Sequence, residues 1–135
     1  MLNEKKGMGR ILLMDDEPII RHTIGMLLQM LGYAVLSAKE GGEAIELFRK
    51  ACEEGHPVNA AILDLVIDQG MGGRETAVEI RKLNPKVPIL VVSGYSNDPV
   101  MAAPKDYLFT DSLPKPFRSA HLIAKLEYHL QRAGN

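Results

Sequence analysis

Between residues 10 and 131 the chain alternates short, almost wholly apolar runs with longer stretches in which apolar residues return every three or four positions. The first run, ILLM from Ile11 to Met14, stops abruptly at Asp15-Asp16-Glu17. From Pro18 the residues Ile20, Ile24, Leu27, Leu28 and Leu31 keep helical spacing, with proline suited to the first turn and Gly32 to the end. YAVLSA (33–38) reads as a strand, followed by a helix that turns Ala44, Ile45, Phe48 and Cys52 inward. AAILDL (60–65) reads as a buried strand ending at Asp64, and Ala77, Ile80 and Leu83 mark a third helix closed by Asn84-Pro85. VPILVVS (87–93) is a further strand. Pro99 and Pro104 bracket only a short fourth helix, DYLFTDSL contains a fifth strand, and Leu122, Ile123, Leu126 and Leu130 form the stripe of a last helix.

Most of these strands are apolar on both faces, which an antiparallel sheet with one wet side does not require. Strands alternating with helices and buried on two sides predict a parallel sheet covered by helices above and below. Right-handed crossovers leave a doubly wound five-stranded α/β sheet as the simplest arrangement. No internal repeat or low-complexity segment interrupts the alternation. Residues 1–9 are expected to be a tail or linker, 10–131 the domain, and 132–135 a C-terminal tail, with no room for an effector domain.

Composition narrows the class. A chain of 135 residues with 46% hydrophobic and 24% charged residues is an ordinary single-domain complement. A net charge of −1 gives no general attraction to nucleic acid or an anionic membrane. The single cysteine, Cys52, excludes an internal disulfide framework and suits a reducing compartment. No apolar segment reaches membrane-spanning length, and the start MLNEKKGMGR lacks the apolar core of a signal peptide, so a cytoplasmic location is expected.

Ligands of open α/β sheets bind beyond the carboxyl ends of the strands. The predicted ends carry Asp15-Asp16, Asp64, Ser93-Gly94 and Lys115-Pro116. Singly, each has an ordinary role: an aspartate before a helix caps it, and a serine before glycine makes a turn. Asp64 is harder to explain that way, since the run before it is apolar and no nearby residue pairs with it. Two like charges 4 Å apart repel by about 4 kcal/mol at an effective dielectric near 20. Three carboxylates at one edge therefore call for a cation, and an all-oxygen set with open positions favours Mg²⁺. A hard dication beside a carboxylate, a hydroxyl and an ammonium is the equipment of phosphoryl transfer to a carboxylate nucleophile, giving an acyl phosphate.

The segments MDDEP, LDL, VVSGYS and LPKPF, in this order and spacing over about residues 10–131, closely resemble a bacterial two-component response-regulator receiver domain. The resemblance implies a flavodoxin-like (βα)5 fold with strand order 2-1-3-4-5. It assigns Asp64 as phosphoacceptor and Asp15 and Asp16 as holders of Mg²⁺, Asp16 more directly, with the Val66 backbone carbonyl as a further ligand and Mn²⁺ as a substitute ion. Ser93 matches the switch hydroxyl and Lys115 the phosphate-pairing lysine, with a cis bond to Pro116. The phosphodonor implied is a histidine kinase or a histidine phosphotransfer domain. The implied domain assists its own phosphorylation and dephosphorylation without being a turnover enzyme, makes no nucleic-acid or membrane contact, and is compatible with a homodimer on activation. DQGMGGRE and SGYSNDPVM are more similar to receivers of hybrid sensor histidine kinases than to those joined to DNA-binding domains.

Two positions depart from the family pattern. Proline is usual four residues after the phosphoacceptor, where this chain has Asp68; an acid there is expected to loosen the loop and add negative potential. An aromatic is usual three residues before the lysine, where this chain has Ser112, and Tyr107 does not match that position. These departures keep open a non-phosphorylated pseudo-receiver that serves only as an interaction module. An aspartyl phosphatase with turnover is a third reading, weakened by the lack of sequence for a specificity cap. His22, His56, His121 and His129 show no metal-ligand spacing, and His121 and His129 read as surface residues. Cys52, Met26 and Met30 read as packing or edge filler rather than a binding surface.

Overall fold

The computed structural model describes residues 8–133, so most of the expected N-terminal tail and the last two residues lie outside the described residues. Five strands, β1 (Arg10–Met14), β2 (Ala34–Ala38), β3 (Ala60–Asp64), β4 (Ile89–Ser93) and β5 (Asp111–Pro114), form one sheet. All neighbours pair in parallel, in the order β2-β1-β3-β4-β5. The helices are α1 (Pro18–Met30), α2 (Gly41–Glu53), α3 (Gly73–Leu83), α4 (Pro99–Ala102) and α5 (Ser119–Arg132), and a 3₁₀ turn spans Pro104–Tyr107. The doubly wound sheet expected from the alternation is the one observed, and α4 is as short as its two prolines require.

The period-2 alternation of the strands divides the core in two. Leu12, Met14, Ala61, Leu63, Ile89 and Val91 face α2, α3 and α4, where Ala44, Phe48, Ala77, Ile80 and Val100 meet them. Ile11, Leu13, Ala60, Ile62, Leu90 and Val92 face α1 and α5, packing against Ile24, Leu28, Leu122 and Leu126. Both faces are dry, which is why β1, β3 and β4 read as unbroken apolar runs.

Helix faces differ in detail from the expected stripes. On α2 the third inward residue is Ala51, while Cys52 is exposed and Ile45 is half-buried. Cys52 is therefore not packing, because the buried stripe of α2 runs Ala44, Phe48, Ala51 and leaves Cys52 on the exposed face. Met26 and Met30 are exposed on α1, as are Leu31 at its end and Leu83 at the end of α3, where the helix extends beyond the face it covers. His121 lies on the surface, but His129 does not: it is half-buried, its Nε2 2.9 Å from Asp111 Oδ2.

Several polar residues fix the ends of elements. Glu40 caps α2 by accepting from the Gly42 and Glu43 N–H groups, at 2.8 and 2.9 Å. Arg81, in the last turn of α3, donates to the carbonyls of Leu108 and Val87 at 3.0 and 2.6 Å, tying α3 to the amino ends of β4 and β5. Gly32 follows α1 with φ 102°, a left-handed residue where a side chain would be strained.

Candidate functional site

Strand register brings the acids together. Met14 pairs with Leu63, so the next residues, Asp15 and Asp64, emerge side by side where β1 and β3 end. Asp64 is opposite Val92, which puts Ser93 one step beyond on β4, and Ser93 pairs with Pro114, which delivers Lys115 to the same edge. Residues 100 positions apart thus meet because parallel strands all end on one side.

Lys115 Nζ reaches Asp15 Oδ2 at 2.9 Å and Asp64 Oδ2 at 3.1 Å, bridging two buried carboxylates. Asp15 is the more fully held: its Oδ1 accepts the Glu17 N–H at 2.9 Å, and Arg21 pins its backbone carbonyl at 2.7 Å. Asp64 Oδ1 has only a long contact of 3.4 Å from the Val66 N–H. Asp16 is half-buried, and its Oδ2 accepts the Asp68 N–H at 3.1 Å. One oxygen from each of Asp15, Asp16 and Asp64 lies within 4.8 Å of the others.

The charge is unbalanced. One ammonium stands against three carboxylates, and Asp64 registers the excess: burial first, then the Asp15 charge, pushes its carboxyl up to about 6 against the opposing pull of Lys115. Burial disfavours the Lys115 ammonium, but its hydrogen bond to Asp15 and the charges of Asp64 and Asp15 outweigh that and hold it above its ordinary value. Three oxygen donors, a surplus of negative charge and a raised carboxyl fit a hard divalent cation such as Mg²⁺.

Ser93 is buried at the end of β4, and its Oγ accepts the Tyr95 N–H at 3.0 Å, leaving the hydroxyl proton available to another acceptor. The Lys115-Pro116 bond is cis. Val66 lies exposed at the rim. All six residues expected at the site therefore stand at or beside the carboxyl edge of the sheet.

The loop after β3 is anchored rather than loose. Glu40 Oε1 accepts the Met71 N–H at 3.3 Å, and the Gly41 N–H donates to the Met71 carbonyl at 2.8 Å. At Gly73 a Cβ would stand 2.6 Å from the Asp64 carbonyl oxygen, and at Gly72 it would stand 2.7 Å from that of Leu65. Glycine lets α3 begin directly against the end of β3. The second departure also has a definite structure: Ser112 Oγ donates to the Met101 carbonyl at 2.8 Å, tying β5 to α4. Beside it, Lys125 Nζ and His129 Nε2 grip the Asp111 carboxylate at 3.0 and 2.9 Å.

Sequence reasoning missed Glu40, Arg21 and the Asp111–Lys125–His129 group. Glu40 had a readable signal, an acid before a glycine pair with Glu43 three residues on, which is a helix-start pattern. Arg21 and Asp111 act on partners that no local spacing reveals.

Residues 11–127 match the sequence family described as the response regulator receiver domain. Among curated proteins, the chain is 30% identical over 123 residues to response regulator MprA of Mycobacterium sp. strain KMS, covering 91% of this chain and 51% of that protein. It is 33% identical over 127 residues to sensor kinase CckA of Brucella abortus, covering 93% of this chain but 13% of the kinase. The chain thus spans about half the length of the first of these relatives and a small part of the second. Among solved structures, it resembles response regulator protein TrrA of Thermotoga maritima, described in complex with Mg²⁺–BeF, with TM-score 0.76 and 30% identity over 90% of this chain and 99% of that one. A CheY-like receiver domain protein from Methanospirillum hungatei superposes with TM-score 0.82 at 25% identity, over 93% of this chain and 96% of that one.

Proposed function

Because the chain belongs to the response regulator receiver domain family, the phosphoacceptor modules of two-component systems, we propose that its acceptor is Asp64 and that a histidine kinase or a histidine phosphotransfer domain is its donor. The observation that carries this reading is Lys115 bridging buried Asp15 and Asp64, with Asp16 completing an oxygen cluster beside them. Of the two buried carboxylates Asp64 is the one whose Oδ1 is less engaged, and it ends the strand that lies at the centre of the sheet.

Asp15, Asp16 and Asp64 would hold Mg²⁺, or Mn²⁺ in its place, with the Val66 backbone carbonyl as a further ligand. Once bound, the ion supplies positive charge to the phosphoryl oxygens. Asp64 Oδ1 attacks phosphorus and forms an acyl phosphate, while the P–N bond of the donor phosphohistidine breaks and leaves its electron pair on the ring nitrogen. The Lys115 ammonium, already bonded to Asp64 Oδ2, shifts one donor to a phosphoryl oxygen. The Ser93 hydroxyl, which only accepts from Tyr95, donates to another. Asp68 is not the acceptor: it is exposed in the loop and its N–H, rather than its carboxylate, faces the cluster. The same groups assist hydrolysis of the acyl phosphate, so the domain promotes its own phosphorylation and dephosphorylation.

On this reading the domain spans residues 10–131, acts in the cytoplasm without nucleic-acid or membrane contacts of its own, and is compatible with a homodimer on activation. The match to CckA supports a parent chain that is a hybrid kinase. No helix among the described residues is long and apolar enough to cross a membrane.

Treatment with acetyl phosphate, or with beryllofluoride and Mg²⁺, should give a single adduct by intact mass and by a change in the amide spectrum. Asp64→Asn abolishes the adduct, whereas Asp68→Pro still forms it at saturating Mg²⁺. An adduct that survives Asp64→Asn and disappears in Asp68→Pro would reverse the assignment.

A further inference from the structure

The three carboxylates of the cluster are not held alike. Asp15 accepts from Glu17 and Lys115, and its carbonyl is pinned by Arg21. Asp64 accepts from Lys115 and Val66. Asp16 accepts one hydrogen bond among the described residues, the 3.1 Å contact from the Asp68 N–H, across 52 positions of sequence. Its orientation relative to the other two oxygens therefore depends on the loop that follows β3.

Resting on the cation-binding reading above, we infer that Asp68 is a positioning residue for the divalent cation, acting through its backbone N–H on Asp16 rather than through its own carboxylate. The loop is suited to this task because both its ends are fixed. It begins at Asp64 itself, and further along the Met71 N–H and carbonyl are bonded to Glu40 and Gly41. A donor carried on such a loop holds Asp16 at a set distance from Asp64 before the ion arrives, so less ordering remains to be done on binding. The hydrogen bond occupies Oδ2 and leaves Oδ1 for coordination. Any residue with an amide hydrogen supplies the bond, and proline is the one that does not.

That property gives a clean test. Asp68→Ala removes the charge and keeps the N–H; Asp68→Pro removes both. In calorimetric titrations of the metal-free protein with Mg²⁺, the proline variant should bind about tenfold more weakly than the alanine variant, the size usual for loss of an outer-shell partner. Equal affinities of the two variants would overturn the inference, whether both match wild type or both fall together. If Asp68→Pro does not fold, amide exchange decides: the Asp68 N–H should exchange about tenfold faster in Asp16→Ala than in wild type, and an unchanged rate rejects the inference. Failure of wild type to bind Mg²⁺ at all would instead remove the cation reading, and the inference with it.

Discussion

At the scale of single residues, the raised carboxyl of Asp64 has a defined pH consequence. Its value of about 6 exceeds its ordinary 3.8, with burial the largest cause and the Asp15 charge the next. A folded state that holds a proton more tightly than the unfolded chain gains stability from it at low pH. That contribution is fully present below pH 3.8 and is lost as pH rises through about 6. Cation binding runs the opposite way, since the carboxylate must be deprotonated to coordinate. Mg²⁺ affinity should therefore be flat above pH 7 and weaken below pH 6, approaching about tenfold per pH unit for one competing proton. Calorimetry from pH 5 to 7.5 measures this, and an affinity indifferent to pH in that range contradicts it. The acids themselves were legible in the sequence because a carboxylate ending an apolar run has no cheap alternative. What the sequence did not disclose was who holds them. Arg21 reaches the backbone carbonyl of Asp15, and the backbone N–H of Asp68 reaches Asp16; contacts to or from the backbone leave no mark in residue identity.

At the scale of elements, the junction between β3 and α3 is a close approach of backbone to backbone beside the site. Gly73→Ala places a methyl 2.6 Å from the Asp64 carbonyl oxygen and 3.1 Å from the Leu65 Cα, both backbone atoms that cannot step aside. A loss of about 2 kcal/mol in denaturant unfolding is expected, together with weaker Mg²⁺ binding as the end of β3 shifts. Gly94→Ala is the matched control, because nothing lies within 4 Å of the added carbon; its unfolding midpoint should stay within experimental error. If the two variants unfold alike, the close approach is not what glycine serves at residue 73. Strands β1, β3 and β4 were the most legible elements: their apolar runs reach both faces of the sheet, and the observed ends fall within two residues of the expected ones, whereas the bounds of β5 could not be read. Helix faces were less so. A stripe of Ala44, Phe48 and Ala51 and one ending at Cys52 differ by a single residue, and only the packing of the helix on its neighbours decides between them. His129 read as a surface residue because its partner, Asp111, lies 18 positions away on another element.

At the scale of the whole molecule, a cation held by the acidic cluster would link folding to the ions in solution. A ligand that binds only the folded state at a hundredfold excess over its dissociation constant stabilises it by about 2.7 kcal/mol. Thermal melts should therefore rise with Mg²⁺, rise further with beryllofluoride, and return to the metal-free value on chelation. In Asp64→Asn the beryllofluoride increment should vanish. A wild-type melt indifferent to both additions would speak against a ligand site at this edge. The topology was legible because alternating elements and right-handed crossovers leave few parallel arrangements, and this order of strands is what gathers Asp15, Asp64, Ser93 and Lys115.

The Arg81 contacts at the opposite edge decide how this sheet breathes. By clamping the carbonyls of Leu108 and Val87, and reaching Thr110 Oγ, which in turn accepts the Ile89 N–H at 2.9 Å, Arg81 rivets β4 and β5 at their amino ends. If these two strands fluctuate about that fixed end, slow-exchanging amides should cluster at Ile89 and Thr110 and fade toward Ser93 and Leu113. Arg81→Ala should erase that gradient, speeding exchange at Ile89 most, while the phosphoryl pocket keeps its adduct. Held in this way at its amino ends, the sheet would keep any movement for the edge that carries the acids.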